Sequence, residues 1–209
     1  MIVSDIAANT SKIFHLGAVG LNYGLQLAQD TTKNEAVIAF SPDEGARGGS
    51  APEFALVNLT NGKIKEFTAL SNGPYGAGDV NGLAVDSGTG VACTATELNA
   101  QVEFYNISKQ AGIGIQLPNT GDTSQLNSGS AVANDPVNHL FLVAQPLSSS
   151  SSGSSIYVYG EKGNLKETIN GFDFGDASTV VPVRIAVNPA TRTGWVNGAN
   201  VNQLQQFFY

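Results

Sequence analysis

The chain has 209 residues, 17 acidic against 10 basic, a formal charge of −7, and a composition that is 42% hydrophobic and 13% charged. That balance supplies one sizeable core and excludes general disorder, and the acidic charge with no Lys/Arg cluster excludes a general nucleic-acid surface. No apolar run approaches the roughly 20 residues that cross a bilayer, and no basic-then-apolar leader opens the chain, so no membrane span is expected.

In chain order, the opening "MIVSDIAANTSKIFHLG" reads as two short strands around an Asn-containing turn. "GLQLAQDTTKNEAVIAF" then gives an apolar strand closing on Asp30, a turn, and a second apolar strand, followed by a third, "EFALVNLTNGK", and a weaker fourth, "IKEFTAL". The grammar returns in "GLAVDSGTGVACTA", anchored on Asp86, with "QVEFYNISKQ" as its third strand. It returns again in "SAVANDPVNHLFLVA", anchored on Asp135, with "SIYVYGEKGN" and "LKETINGF". A last copy, "RIAVNPATRTGWVN", is anchored on Asn188 and leads to "NQLQQFFY".

The anchors are 56, 49 and 53 residues apart, a period that belongs to propeller blades or another repeat array. Asp-Pro, Asn-Pro and Ser-Gly are turn formers, because Pro fixes φ, Gly permits positive φ, and Asx side chains bond the nearby backbone. Each anchor is therefore expected at a hairpin tip with a structural role. No segment carries a sustained helical period with caps. The expected fold is all-β, a single β-propeller domain over 1–209 built of four-stranded antiparallel blades, three full and two partial. The near-continuous apolar first strand of each blade is expected innermost and packed on both faces, with the third and fourth strands further out and more polar.

The opening and closing segments both resemble second and third strands, so they duplicate each other. That overlap leads to the expectation of a fragment of a six- or seven-bladed ring, with a compact five-bladed ring as the alternative. If the ring is complete, a monomer is expected.

Cys93 lies alone in "GVACTA" and is expected to be a small buried hydrophobe. His15 and His139 are distant in sequence, so neither a Cys–His dyad nor a zinc set stands out. The tract from Ser148 to Ser155 reads as a flexible hairpin loop, and N-x-[ST] patterns occur at Asn9, Asn58 and Asn106. No nucleophile elbow, phosphate loop or dinucleotide fingerprint falls in its required strand-to-helix setting. The Gly/Ser/Thr/Asn-rich, Lys-poor matrix favours an extracytoplasmic or secreted protein.

"DVNGLAVDSGTG" and "RIAVNPATRTGWV" resemble the inner-strand motif of NHL, YVTN and SMP-30/gluconolactonase-like propellers. In such a ring, loops leading into the inner strands converge at one mouth of the central channel. The residues at those positions are Asn22 in "NYG", Asp79 and Asn81 in "DVNG", Asn127 in "NSG" and Arg184 in "PVR". The resemblance implies that carboxylate and Asn oxygens at this mouth hold a divalent cation such as calcium, which would polarise a lactone carbonyl or activate water. Asn81 occupies the family's Asn-Gly position and Asp79 is its nearest carboxylate, while turn chemistry competes for the same Asn-Gly pair. Because no catalytic set is visible, the leading expectation is a non-enzymatic scaffold that binds a protein, peptide or glycan on its loop face. The alternative is a metal-assisted lactone or ester hydrolase.

Overall fold

The computed structural model describes residues 1–5, 8–14, 23–41, 53–67, 80–96, 101–118, 131–146, 154–174, 183–198 and 203–209, and every element among them is a β-strand. Five antiparallel sheets follow one another in chain order. The first pairs β1 (Ile2–Asp5) with β2 (Thr10–Ile13). The second runs through β3 (Tyr23–Asp30), β4 (Glu35–Ser41), β5 (Glu53–Asn58) and β6 (Ile64–Phe67). The third contains β7 (Val80–Asp86), β8 (Val91–Thr96), β9 (Gln101–Asn106) and β10 (Ala111–Gln116). The fourth contains β11 (Ala131–Asp135), β12 (Leu140–Gln145), β13 (Ser154–Gly160) and β14 (Leu165–Phe172), and the fifth β15 (Arg184–Asn188), β16 (Thr193–Asn197) and β17 (Leu204–Phe208). The first strands β3, β7, β11 and β15 lie side by side at the centre, each against the next, so the sheets are arranged as propeller blades, three complete and two partial.

One backbone hydrogen bond fixes the equivalence of the blades. In three blades the residue after the third strand donates to the residue before the second: Leu59 to Asn34, Ile107 to Gly90 and Tyr209 to Arg192. Phe14 donates to Met1 in the same way, which makes β1 and β2 a second and a third strand, as expected from sequence. Among the described residues no first strand precedes β3, and Leu27 is 53% exposed, although its counterparts Leu83, Val132 and Ile185 pack into blade interfaces.

The core is a series of apolar interfaces between blades rather than one central mass. Val37, Ala39, Phe54 and Leu56 meet Ala92, Tyr105 and Ile107 between the second and third blades. Cys93, Val102 and Phe104 meet Phe141, Val143, Tyr157 and Tyr159 between the third and fourth. Leu142, Ile156, Val158 and Phe172 meet Val196, Phe207 and Tyr209 between the fourth and fifth. Each interface carries an aromatic pair: Phe54 stacked on Tyr105 at 5.1 Å, Phe104 edge-on to Phe141 at 5.8 Å, and Phe172 edge-on to Phe207 at 5.7 Å. Full burial of one such side chain stabilises by about 1.5–3 kcal/mol, so the interfaces dominate the favourable energy.

Three expectations change. The most buried strands are the second and third, with β13 buried at every position, whereas β7 and β11 alternate between buried and half-buried. A middle strand has sheet partners at both edges and a blade on both faces; an inner strand borders the channel along one edge. The fourth strands β10 and β14 are largely exposed, and so are β2, β15 and β17 of the two partial blades. A further fourth strand, β10 ("AGIGIQ"), lies where the sequence showed no strand signal, because its alternate glycines lack the side chains by which strands are read. Gly114 faces Glu103 across the ladder, and the end of the Gln101 side chain fills the space a Cβ would take. The Ser tract also ends inside the fold, with Ser154 and Ser155 buried as the first residues of β13.

Candidate functional site

The strands of this fold have two chemically different ends. At the tip end, each first and second strand is joined by a short turn opened by the predicted anchor. Asp30 Oδ1 accepts the backbone N–H of Thr32 and Lys33, Asp86 Oδ1 that of Gly88, Asp135 Oδ1 those of Val137 and Asn138, and Asn188 Oδ1 that of Ala190. The residue closing each turn adopts positive φ: Asn34 (53°), Gly90 (69°), His139 (53°) and Arg192 (52°). Asn58 and Asn106 do similar work at the outer turns, accepting from Thr60 and Asn61, and from Lys109, which accounts for two of the three N-x-[ST] asparagines.

The three aspartates are fully buried, and each spends its second oxygen on a charge or donor. Asp30 Oδ2 lies 3.7 Å from Lys33 Nζ, which also donates to Ser108 of the next blade. Asp135 Oδ2 accepts the Tyr209 hydroxyl across the fourth and fifth blades at 3.1 Å and the Asn138 amide at 2.7 Å. Burial alone would raise the Asp135 carboxyl, but these bonds with the Val137 and Asn138 N–H groups outweigh it and hold it below the ordinary value. The Tyr209 hydroxyl is pushed up to about 12, by burial and then by Asp135, and Arg192 lies 5.4 Å from the centre of its ring.

At the third-to-fourth junction, Asp86 Oδ2 lies 2.9 Å from His139 Nδ1, and Glu161 Oε1 lies 3.8 Å from the same nitrogen. The hydrogen bond to Asp86 raises the His139 pKa, against a smaller opposing effect of burial, and the charges of Asp86, Glu161 and Asp135 add to the rise. Thr89 Oγ1 donates to Glu161 Oε1. Among the described residues this is the one group of three metal-capable side chains within reach of each other. Beside it lies a cleft of about 440 Å³ lined by Thr89, Val91, Phe104, Lys109, Ile113 and Glu161.

The loop end is where the sequence placed the site. Asn22, Asp79 and Asn127 lie outside the described residues. Asn81 is the extra residue of a β-bulge: Val80 pairs with Thr96 and Gly82 with Ala95, leaving Asn81 without a cross-strand partner. Bulges re-aim side chains, and here the Asn81 Nδ2 is buried with no hydrogen-bond partner. Gly82 is dictated by packing, since a Cβ would stand 2.9 Å from Val132 N and 3.0 Å from Ala131 C of the neighbouring inner strand. Further along, Gln145 is 1% exposed with neither amide atom bonded, and the buried Thr94 hydroxyl is also unbonded.

Arg184 departs from its expected place before the inner strand. It is the first residue of β15, paired with Asn197, exposed, and its Nη1 donates to the carbonyl of Val183. It sits two inner strands from β7, so the structure does not bring it together with Asn81. The unbonded atom of Asn81 is a donor, which suits a carbonyl or hydroxyl oxygen and not a cation, and Arg184 is itself positive. Of the expected ligand set only these two lie among the described residues, and they stand apart. Cys93 is fully buried as expected, with burial and Glu103 pushing its thiol pKa up.

Radial four-stranded antiparallel sheets around adjacent inner strands define a β-propeller. No protein-family model matches the chain, and neither does any curated protein. Solved structures do match: the hydrazine synthase of Kuenenia stuttgartiensis at 14% identity and a TM-score of 0.58, over 94% of this chain and 53% of that one. A nidogen/laminin complex aligns at 13% identity and a TM-score of 0.62 over 94% of this chain and 64% of that one. A mitotic checkpoint complex aligns at 13% identity and 0.60 over 100% of this chain and 54% of that one. The chain thus spans between about half and two thirds of the chains it resembles. At such identities the likeness shows the fold; NHL, YVTN or SMP-30 membership is not singled out.

Proposed function

We propose that the protein is a non-catalytic β-propeller that binds a protein or peptide segment at the loop end of its blades. The observation that carries this reading is the pair of buried, unbonded side-chain amides, Asn81 Nδ2 on the bulge of β7 and both polar atoms of Gln145 at the end of β12. A buried amide without a partner costs about 1–3 kcal/mol, and a peptide group supplies the complementary donor and acceptor in one unit. Two of the similar structures are, by title, protein complexes, which agrees with a protein partner.

The test is a capture experiment on a random-peptide array and a glycan array, using the wild type and an Asn81→Ala/Gln145→Leu variant that melts at the same temperature. Peptide spots retained by the wild type and lost at least tenfold in the variant are expected. Binding confined to glycans, equal binding by both proteins, or calcium-dependent turnover of a lactone panel would overturn the reading, the last in favour of the hydrolase.

A further inference from the structure

We propose that Asp86, His139 and Glu161 form a binding site for a divalent transition metal of the zinc class, clamped across the junction of the third and fourth blades at the tip end. This site is separate from the loop-end surface and does not depend on it.

The repeat singles out one of the three residues. The residue following the third strand is aliphatic or aromatic in four blades, Phe14, Leu59, Ile107 and Tyr209, the last reaching the buried Asp135 of the preceding blade through its hydroxyl. In the fourth blade the same place is held by Glu161, 23% exposed, although Ile107 and Tyr209 are buried there. Glu161 is the one carboxylate at this place of the repeat. It faces the fully buried Asp86 of the preceding blade, with His139 between them as the closing residue of the intervening turn. Two carboxylates converging on one imidazole nitrogen leave more negative charge than a neutral ring offsets, and a divalent cation would neutralise both.

The ligand atoms His139 Nδ1, Asp86 Oδ2 and Glu161 Oε1 lie within 4.8 Å of each other. At bond lengths of about 2.1 Å, tetrahedral zinc holds its ligand atoms about 3.4 Å apart, so the observed 2.9 and 3.8 Å straddle the required spacing. Gly88 N–H fixes Asp86 Oδ1 and leaves Oδ2 for the metal, while the Thr89 hydroxyl bonds the ligand oxygen Glu161 Oε1 itself. An imidazole with two carboxylates favours zinc, cobalt or nickel over calcium and magnesium, which prefer all-oxygen sets. His139 is half-exposed and Glu161 borders the cleft beside Thr89, so the site is open to an ion and to a fourth, non-protein ligand from solvent.

The repeat also supplies the control substitutions. Glu161→Leu restores the residue of the second blade and His139→Asn that of the second blade's turn, so both changes put in side chains this fold already accommodates at the same place. Untagged, chelator-stripped protein is titrated with zinc by calorimetry and with cobalt(II) by visible absorption. One ion per chain, a cobalt spectrum of low-coordinate nitrogen and oxygen ligation, and a loss of tenfold or more in affinity in each variant are expected. No stoichiometric zinc or cobalt uptake by the wild type, or uptake unchanged in both variants, overturns the site. Stronger stabilisation by calcium than by zinc also overturns it. The wild-type cobalt titration decides the matter by itself if a variant fails to fold.

Discussion

The junctions at Asp86 and Asp135 start from the same buried aspartate at the same turn and finish it in opposite ways. Asp135 is enclosed by hydrogen-bond donors, with two backbone N–H groups, the Asn138 amide and the Tyr209 hydroxyl around one carboxylate. Asp86 keeps a single backbone donor and gives its other oxygen to a titratable, half-exposed imidazole that a second carboxylate also approaches. A repeat can thus keep its turn geometry constant while varying what crosses the gap between blades. One junction is closed and structural; the other is left open to protons and ions.

The greatest losses of stability should come from the apolar parts of the two junctions, which are expected to be equal. Phe141→Ala and Phe207→Ala each remove a fully or nearly fully buried ring and should each cost about 3–5 kcal/mol in urea unfolding. If the two losses differ widely, the packing and not the polar partner distinguishes the junctions. Next come the carboxylates themselves. Asp135→Ala strips the acceptor from four donors and should cost about 2–3 kcal/mol, whereas Asp86→Ala should cost about 1–2 kcal/mol, measured the same way at neutral pH. A larger loss at Asp86 would reverse the contrast.

Tyr209→Phe is a finer probe, expected to cost about 1 kcal/mol and to move the acid unfolding midpoint upward, because one of the bonds holding Asp135 ionised is gone. The weakest signal is the most diagnostic. A lowered carboxyl pKa contributes stability that is full above the ordinary value near 3.9 and is lost as pH falls through the depressed one. A raised imidazole pKa contributes stability that is full below about 6.5 and is lost as pH rises through the elevated value. In chelator-treated protein the denaturant midpoint should therefore decline slightly on the alkaline side of neutrality in the wild type and stay flat there in His139→Gln. An identical decline in both proteins would mean that His139 plays no part in it.

The blades were legible in the sequence because their signals are local. Alternating apolar residues, Asp-Pro and Ser-Gly turns and a period near 53 residues all act within a hairpin, and the anchors Asp30, Asp86, Asp135 and Asn188 cap the predicted tips. Strand β10 was not legible, since Gly112 and Gly114 carry no pattern and are held in place by pairing with β9. Nor was the burial gradient, because apolar runs mark strands without saying which edges they pair. At the candidate sites, the turn role of the aspartates was readable but their second role across the blades was not. Asp86 and His139 are 53 residues apart, one blade period, and Glu161 is the one carboxylate at its place in the repeat. Aligning the repeats against one another would have exposed both.

Gly90 shows how far such dependence reaches. Its φ of 69° suits glycine, yet Asn, His and Arg fill the same turn position in other blades, so conformation alone does not require it. A side chain there would begin 3.2 Å from Lys33 Nζ, which enters from the preceding blade to meet Asp30 and Ser108. The absent side chain is thus the berth of a lysine 57 positions earlier in the chain. In descendants and relatives the two should change together: a bulky residue at 90 should travel with the loss of the lysine at 33, and each should be tolerated less well alone than in company.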